Sequence, residues 1–302
     1  MNLTVTAWVR RGAMAALAAT ALVLVACGGG SSTVSSLSPS RVIVFGDATA
    51  DVGQSAGKVY SVNDGSATPW VKALAVSYGV TVTASVTGGQ GWAQGGARVA
   101  TAGAAQSVAQ QIDAFFAAGN AIGSNDLVVV SAGLTDITFQ ADAVAAGTTS
   151  AADGVSNVKA AAVALGGQVA RLKGAGAKYI STVGVYSLST SPYATATATL
   201  LNKASFLAAA TLEFNVAYQI AMVNLGSVVL YTAPGLPSGF SNYTTAVCTT
   251  PSALDCTTST LIASIPVGST YNSYAFADDR HMTPAGHSSF ASTVLTALRN
   301  RF

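Results

Sequence analysis

The stretch Arg41-Val-Ile-Val-Phe-Gly-Asp-Ala-Thr-Ala-Asp-Val-Gly53 decides how the rest of the sequence is read. Arg41 to Phe45 is a compact β-branched run ending at a glycine, the pattern of a strand buried on both faces. Apolar strands and helical stretches alternate from there on. Pro69 opens a helix with Val71, Leu74, Ala75 and Tyr78 on one face, and Val108, Ile112 and Phe115 repeat that spacing. Asp126 to Ser131 reads as a second buried strand. Val158, Ala162, Leu165, Val169 and Leu172 stripe a long helix that Gly174 is placed to cap. A strand around Tyr179 to Val185, a helix from about Leu200 to Val223 and a strand around Val228 to Tyr231 follow. Pro234 to Tyr274 has no steady period and reads as an insertion, and Thr283-Pro284 starts the final helix.

This order predicts a single α/β domain over 41–302, a doubly wound three-layer sandwich. Its sheet is mostly parallel, with about five strands, and ligands are expected at the strands' carboxyl ends. The bulk composition fits one large domain: 302 residues, 50% of them hydrophobic, with only 9% charged and a net charge of +2. A balance so close to neutral, without a basic stripe, argues against nucleic acid as a partner.

The N-terminus reads as a targeting segment. Arg10 and Arg11 precede an apolar stretch, Ala13 to Val25, of about 13 residues, short of the roughly 20 that a spanning helix needs. It ends in Leu24-Val25-Ala26-Cys27, which resembles a bacterial lipobox. That resemblance implies a signal peptide over 1–27, a lipid on Cys27 and a membrane anchor. Gly28 in place of an aspartate after the cysteine favours the outer membrane, and a Gly/Ser-rich tether over 28–40 follows. Only Cys248 and Cys256 remain, close together and bound for an oxidising compartment, which predicts a disulfide across a small loop. Two histidines and no ligand spacing give a metal little to bind.

Four short blocks carry the chemistry. Val42 to Gly53 resembles the first block of the GDSL/SGNH hydrolases, a family of secreted esterases, lipases and acetyl-esterases, and the likeness extends over Arg41 to Phe302. In that family the first strand ends in Gly-Asp-Ser with serine as nucleophile. Here Gly46-Asp47 is kept and Ala48 replaces the serine. Ala93-Gln94-Gly95-Gly96-Ala97-Arg98 is similar to the loop whose glycine N–H faces the oxyanion, with Gly96 favoured over Gly95 as donor. Gly133-Leu134-Thr135-Asp136 stands where the family has Gly-x-Asn-Asp, so a hydroxyl replaces the asparagine amide. Asp278-Asp279-Arg280-His281 resembles the family's Asp-x-x-His signature, which makes Asp278 the acid orienting the base His281. Asp279 is expected to be a solvated neighbour, and His287 a packing residue.

The resemblance implies no cofactor. It implies a small ester, acyl or acetylated-glycan ligand, and a cleft without its nucleophile. Neither Thr49 nor Ser55 is expected to replace the missing hydroxyl. Ala48 fits a natural loss or a deliberate serine-to-alanine replacement, and the independent departure at Thr135 favours the natural loss. Three readings stay open: an impaired, ligand-binding lipoprotein, a weak hydrolase in which His281 activates water, and a structural envelope lipoprotein.

Overall fold

The computed structural model describes residues 36–195, 203–233, 235–236, 238–265 and 271–302. The expected signal peptide, Cys27 and residues 28–35 of the tether lie outside the described residues, as do residues 196–202. The compact unit runs from Leu37 to Phe302. Leu37 is buried in the core, and Ser40 N–H donates to the Asn125 carbonyl at 3.0 Å, so chain just ahead of the first strand is already packed.

Four strands form a parallel sheet in the order β1 (Arg41–Gly46), β2 (Asp126–Ser131), β3 (Tyr179–Val183), β4 (Val229–Thr232). β1 and β2 pair in register from Arg41 opposite Asp126 to Gly46 opposite Ser131. Every residue of β2 is buried, as its Leu-Val-Val-Val centre requires. The expected fifth strand is reduced to one bridge, Val44 to Gly91, on the free side of β1. The reason is local: the segment reads Gly88-Gly89-Gln90-Gly91, which has few side chains to pack on a sheet face. The chain therefore leaves β1 first toward that edge and later toward β2, the reversal that defines a doubly wound sheet.

Among the described residues seven helices accompany the sheet: α1 (Trp70–Val76), α2 (Val108–Ala117), α3 (Leu134–Ala145), α4 (Ala151–Gly174), the single turn α5 (Pro192–Thr195), α6 (Lys203–Val223) and α7 (Pro284–Arg301). α1 packs on α7, while α4 packs on α3 and α6. The stripe Val158, Ala162, Leu165, Val169 and Leu172 is wholly buried. That helix ends beyond the expected cap. Gly174 is still helical, and Gly176, at φ +104°, takes the left-handed position that stops it. α6 is long and apolar enough to cross a membrane, yet Phe206, Leu207, Phe214, Tyr218 and Met222 face the core. Burying each such side chain contributes about 1.5–3 kcal/mol and ties this face of the helix to the core, while Leu212, Val216, Ile220 and Val223 on its other face stay exposed.

The aperiodic insertion has a small core of its own. Strands β5 (Asn242–Ala246) and β6 (Tyr274–Phe276) pair in parallel. Val62, Val247, Ala253, Tyr271 and Ala277 pack around Cys248 and Cys256, which are joined by a disulfide. Thr283 caps α7 by accepting from Gly286 N–H at 3.2 Å, with Pro284 in its first turn.

Candidate active site

The carboxyl ends of β1 and β2 and the turn before α7 converge on one cleft. β1 terminates at Gly46, φ +152°, because no side chain fits there: a Cβ would stand 1.9 Å from the Ser131 carbonyl oxygen. Asp47 follows, fully buried, with its N–H on that same carbonyl at 3.1 Å. Its carboxylate accepts from Thr49 N–H at 3.0 Å and from Leu134 N–H at 2.9 Å, so it caps a one-turn 3-10 helix (Ala48–Ala50) and fastens it to the start of α3. Burial pushes the Asp47 carboxyl up, against the pull of these hydrogen bonds. Ala48 opens the turn and is only 4% exposed.

Thr49, next to Ala48, is buried, and its N–H is held by the Asp47 carboxylate. Ser55 sits on an exposed hairpin bridged to Lys58.

The second block is strapped across this turn. Gln94 N–H donates to the Gly46 carbonyl at 3.1 Å. Gly95 N–H donates to Asp51 Oδ2 at 2.9 Å, while Oδ1 of the same carboxylate takes Gly53 N–H and Gln54 N–H at 2.8 and 2.9 Å. Asp51 thus welds the two loops together, a role that the sequence did not reveal. Gly95 has no room for a side chain, since the Tyr60 phenol lies where its Cβ would stand. With the Gly95 N–H engaged, Gly96, in the left-handed conformation at φ +78°, is the glycine of the pair that lines the cleft.

Thr135 lines the same wall as the second residue of α3 and is half-buried. Asp136, next to it, accepts from Val99 N–H at 3.1 Å and ties block two to block three. Burial, with the Asp47 charge adding to it, pushes the Asp136 carboxyl up to about 7. An unfolded chain gives up this proton near the ordinary 3.8, so stability falls as pH rises from there toward 7 and levels off above. Asp136→Asn keeps the acceptor for Val99 and removes the charge. We expect it to exceed the wild type in stability at pH 8 by up to ~4 kcal/mol and to match it near pH 4. Urea melts at the two pH values test this. An equal difference at both would show that Asp136 does not hold its proton in the fold.

The fourth block forms a tight turn closed by Ala277 N–H on the His281 carbonyl at 2.7 Å. It places His281 Nδ1 2.7 Å from Asp278 Oδ2, with side-chain exposures of 13% and 2%. Asp278 Oδ1 accepts from His281 N–H at 2.7 Å and Arg280 N–H at 3.0 Å, and Oδ2 also accepts from Ala253 N–H at 2.8 Å. Burial alone would raise this carboxyl, but the His281 ring and the converging N–H groups outweigh it and hold it down at about 2. Ala253 belongs to the loop closed by the Cys248–Cys256 disulfide, whose Pro251 and Ser252 line the cleft. The insertion therefore buttresses the carboxylate that orients the imidazole.

Asp279 is not free in solvent. It grips Arg280 through two bonds, Nε to Oδ1 at 2.7 Å and Nη2 to Oδ2 at 2.9 Å, and the Arg280 guanidinium lies 4.1 Å from the Tyr193 ring centre. His287 is buried inside α7 and accepts from Trp70 N–H at 3.3 Å; burial lowers its pKa to about 4, so it packs as a neutral ring.

Tyr60, Gly96, Thr135, Ser252, Arg280 and His281 line an open cleft of about 240 Å³. Tyr60 carried no signal in the sequence. Its ring packs on the imidazole at 4.9 Å between centres, and only the tertiary fold brings it there.

The family model for the GDSL-like lipases and acylhydrolases matches residues 42–294 of this chain, from the first β-branched residues of β1 into α7. No curated protein matches the chain. A match spanning the sheet and all four blocks, on a fold with a parallel sheet between helices, places the chain in the GDSL-like lipase/acylhydrolase family of hydrolases.

Proposed function

We propose that this protein is an impaired member of its family, which binds an acyl or acetylated ligand at the His281 cleft and does not form an acyl-enzyme. The observation that carries this reading is an oriented Asp278–His281 pair, 2.7 Å apart, in an open cleft, in a chain whose position 48, where the family resemblance puts the nucleophile, holds only a methyl group. A hydroxyl at position 48 would give up its proton to His281 Nε2, since Nδ1 is held by Asp278. Alanine has nothing to deliver, and the acyl-transfer route has no first step.

The groups that would hold an ester carbonyl are partly kept. Gly96 faces the cleft, and the Ala48 N–H, first in its turn, has no intrahelical acceptor. Thr135 offers a hydroxyl where an amide would reach further. Ground-state binding therefore survives better than turnover. We expect p-nitrophenyl acetate hydrolysis by the wild type to match that of His281→Ala. A wild-type rate well above that of the variant would replace this reading with a hydrolase in which His281 activates water.

The lipobox-like Leu24-Val25-Ala26-Cys27 supports a lipid anchor that holds the domain at the bacterial outer membrane. Incorporation of radioactive palmitate that persists in Cys27→Ala would exclude Cys27 as the acceptor.

A further inference from the structure

The end of the sheet away from the cleft has a chemistry of its own. The four strands are parallel, so their amino ends share one side of the domain, and Leu37 enters the core there just ahead of β1. α4 and α6 run back to this end, where β3 and β4 start. α7 finishes there too, with Phe302 edge-on to Tyr179, the first residue of β3, at 5.2 Å between ring centres.

Cations collect at this end. Arg41 and Arg171 are paired with Asp126 and Asp113. Lys173 and Lys178, at and just after the close of α4, and Arg299 and Arg301, at the close of α7, are all exposed. Among the described residues these four form no ion pair. The buried carboxylates Asp47, Asp51, Asp136 and Asp278 gather around the cleft instead. A chain of net charge +2 is thus polarised from end to end.

An apolar tip borders the cations. Leu212, Val216, Ile220 and Val223 fall within about 80° of arc on α6. Ile220 and Val223, the two nearest the basic end, are 64% and 73% exposed. Glu213 lies off this arc and is paired with Lys159. α7, by contrast, turns Ser288, Ser292 and Thr296 to solvent.

We infer that this end of the domain rests on an anionic phospholipid bilayer, with the basic residues on headgroup phosphates, the Ile220–Val223 tip at the acyl boundary and the His281 cleft facing away. This rests on the lipid-anchor reading of Cys27 and adds which face meets the membrane. The leash selects the occupant. Ten residues separate Cys27 from Leu37. They span at most about 36 Å, whereas a domain of this size is roughly 45 Å across. A lipid on Cys27 therefore brings the Leu37 end to the bilayer and not the cleft end. Charge favours the same partner, since each lysine or arginine near an anionic surface contributes about fivefold in affinity.

The test uses the mature lipoprotein in vesicles of equimolar phosphatidylethanolamine and phosphatidylglycerol that include a lipid with a nitroxide on its acyl chain. With Cys27 acylated and Cys248 joined to Cys256, an introduced cysteine is the only free thiol for a fluorophore. The nitroxide should quench a label on Val223→Cys at least about threefold more than one on Ala104→Cys, an exposed position beside Gly96 at the cleft end. Lys173→Ala with Lys178→Ala should weaken docking about 25-fold and bring the two labels together. Both lysines are exposed, and an unchanged melting temperature shows that the variant is folded. Vesicles of phosphatidylcholine alone should have the same effect as the lysine pair. Equal quenching at the two sites overturns the inference. So does quenching at Val223→Cys that neither the lysine pair nor the lipid charge alters. A Val223→Cys signal that follows protein density on the vesicle and ignores the quencher also overturns it, and makes this face a contact between two copies. If Cys27 carries no lipid, the protein fails to enter the vesicles at all, and the anchor reading falls together with this inference.

Discussion

Ala48→Ser should raise hydrolysis of p-nitrophenyl acetate by up to about 10⁶-fold over the wild type, the turnover that removing the nucleophile from a complete serine-hydrolase site costs, and His281→Ala in that background should return it to the wild-type level. Thr135 stands for the amide in wild type and variant alike, so its deficit cancels from this ratio and lowers only the rate that the serine variant reaches. Lacking one oxyanion donor costs about 10²–10³-fold. Adding Thr135→Asn should then contribute about 10²-fold more. The parts that the serine needs are in place: Asp47 caps its turn, Asp51 fixes the Gly95-Gly96 loop, and Asp278 holds the imidazole. A serine variant no faster than the wild type would mean that His281 does not reach position 48, and the site as described would be wrong. Thermal melts of each variant exclude loss of fold as the cause.

Gly46→Ala should cost more than about 4 kcal/mol in stability, or prevent recovery of soluble protein. Two penalties fall on one residue. At φ +152° an L side chain is strained, at about 1–3 kcal/mol. Its Cβ would also stand 1.9 Å from the Ser131 carbonyl oxygen, in backbone that is paired in β2 and cannot retreat as a flexible side chain would. Gly57→Ala is the matched control, since Gly57 has φ +80° but open space around its Cβ position. It should lose only about 1–2 kcal/mol. Urea melts of the two variants give the comparison. A Gly46→Ala protein as stable as Gly57→Ala would contradict the close approach of β1 to β2 on which the Asp47 turn depends.

Much of the scaffold is legible because its signals are local. The β-branched runs of β1 and β2 are buried on both faces, and the stripe of α4 repeats at the helical period. The Thr283-Pro284 pair marks the start of α7 through its own capping chemistry. What stays hidden depends on distant chain. The fifth sheet position is a glycine-rich bridge, so it lacks the side chains that reveal a strand. Gly174 and Gly176 differ only in backbone conformation, which two nearby glycines do not disclose. The core of the insertion joins Val62 to Ala277 around a disulfide, and no periodicity links such positions.

The site divides in the same way. The Asp278–His281 turn is compact enough to be read from four residues. Tyr60, Asp51 and Ala253 act on partners far along the chain, against His281, Gly95 and Asp278 respectively, so their parts emerge only in three dimensions.

An impaired family member binds an ester in the His281 cleft and does not cleave it. The chain has two histidines, one in the cleft and one buried in α7, so the two ring signals in an NMR spectrum carry their own control. Titrating the wild-type protein with ethyl butyrate should shift the His281 ring resonances saturably, leave those of His287 in place, and leave the ester intact. Resonances of both rings that stay fixed, or an ester consumed at a rate that His281→Ala abolishes, would contradict it.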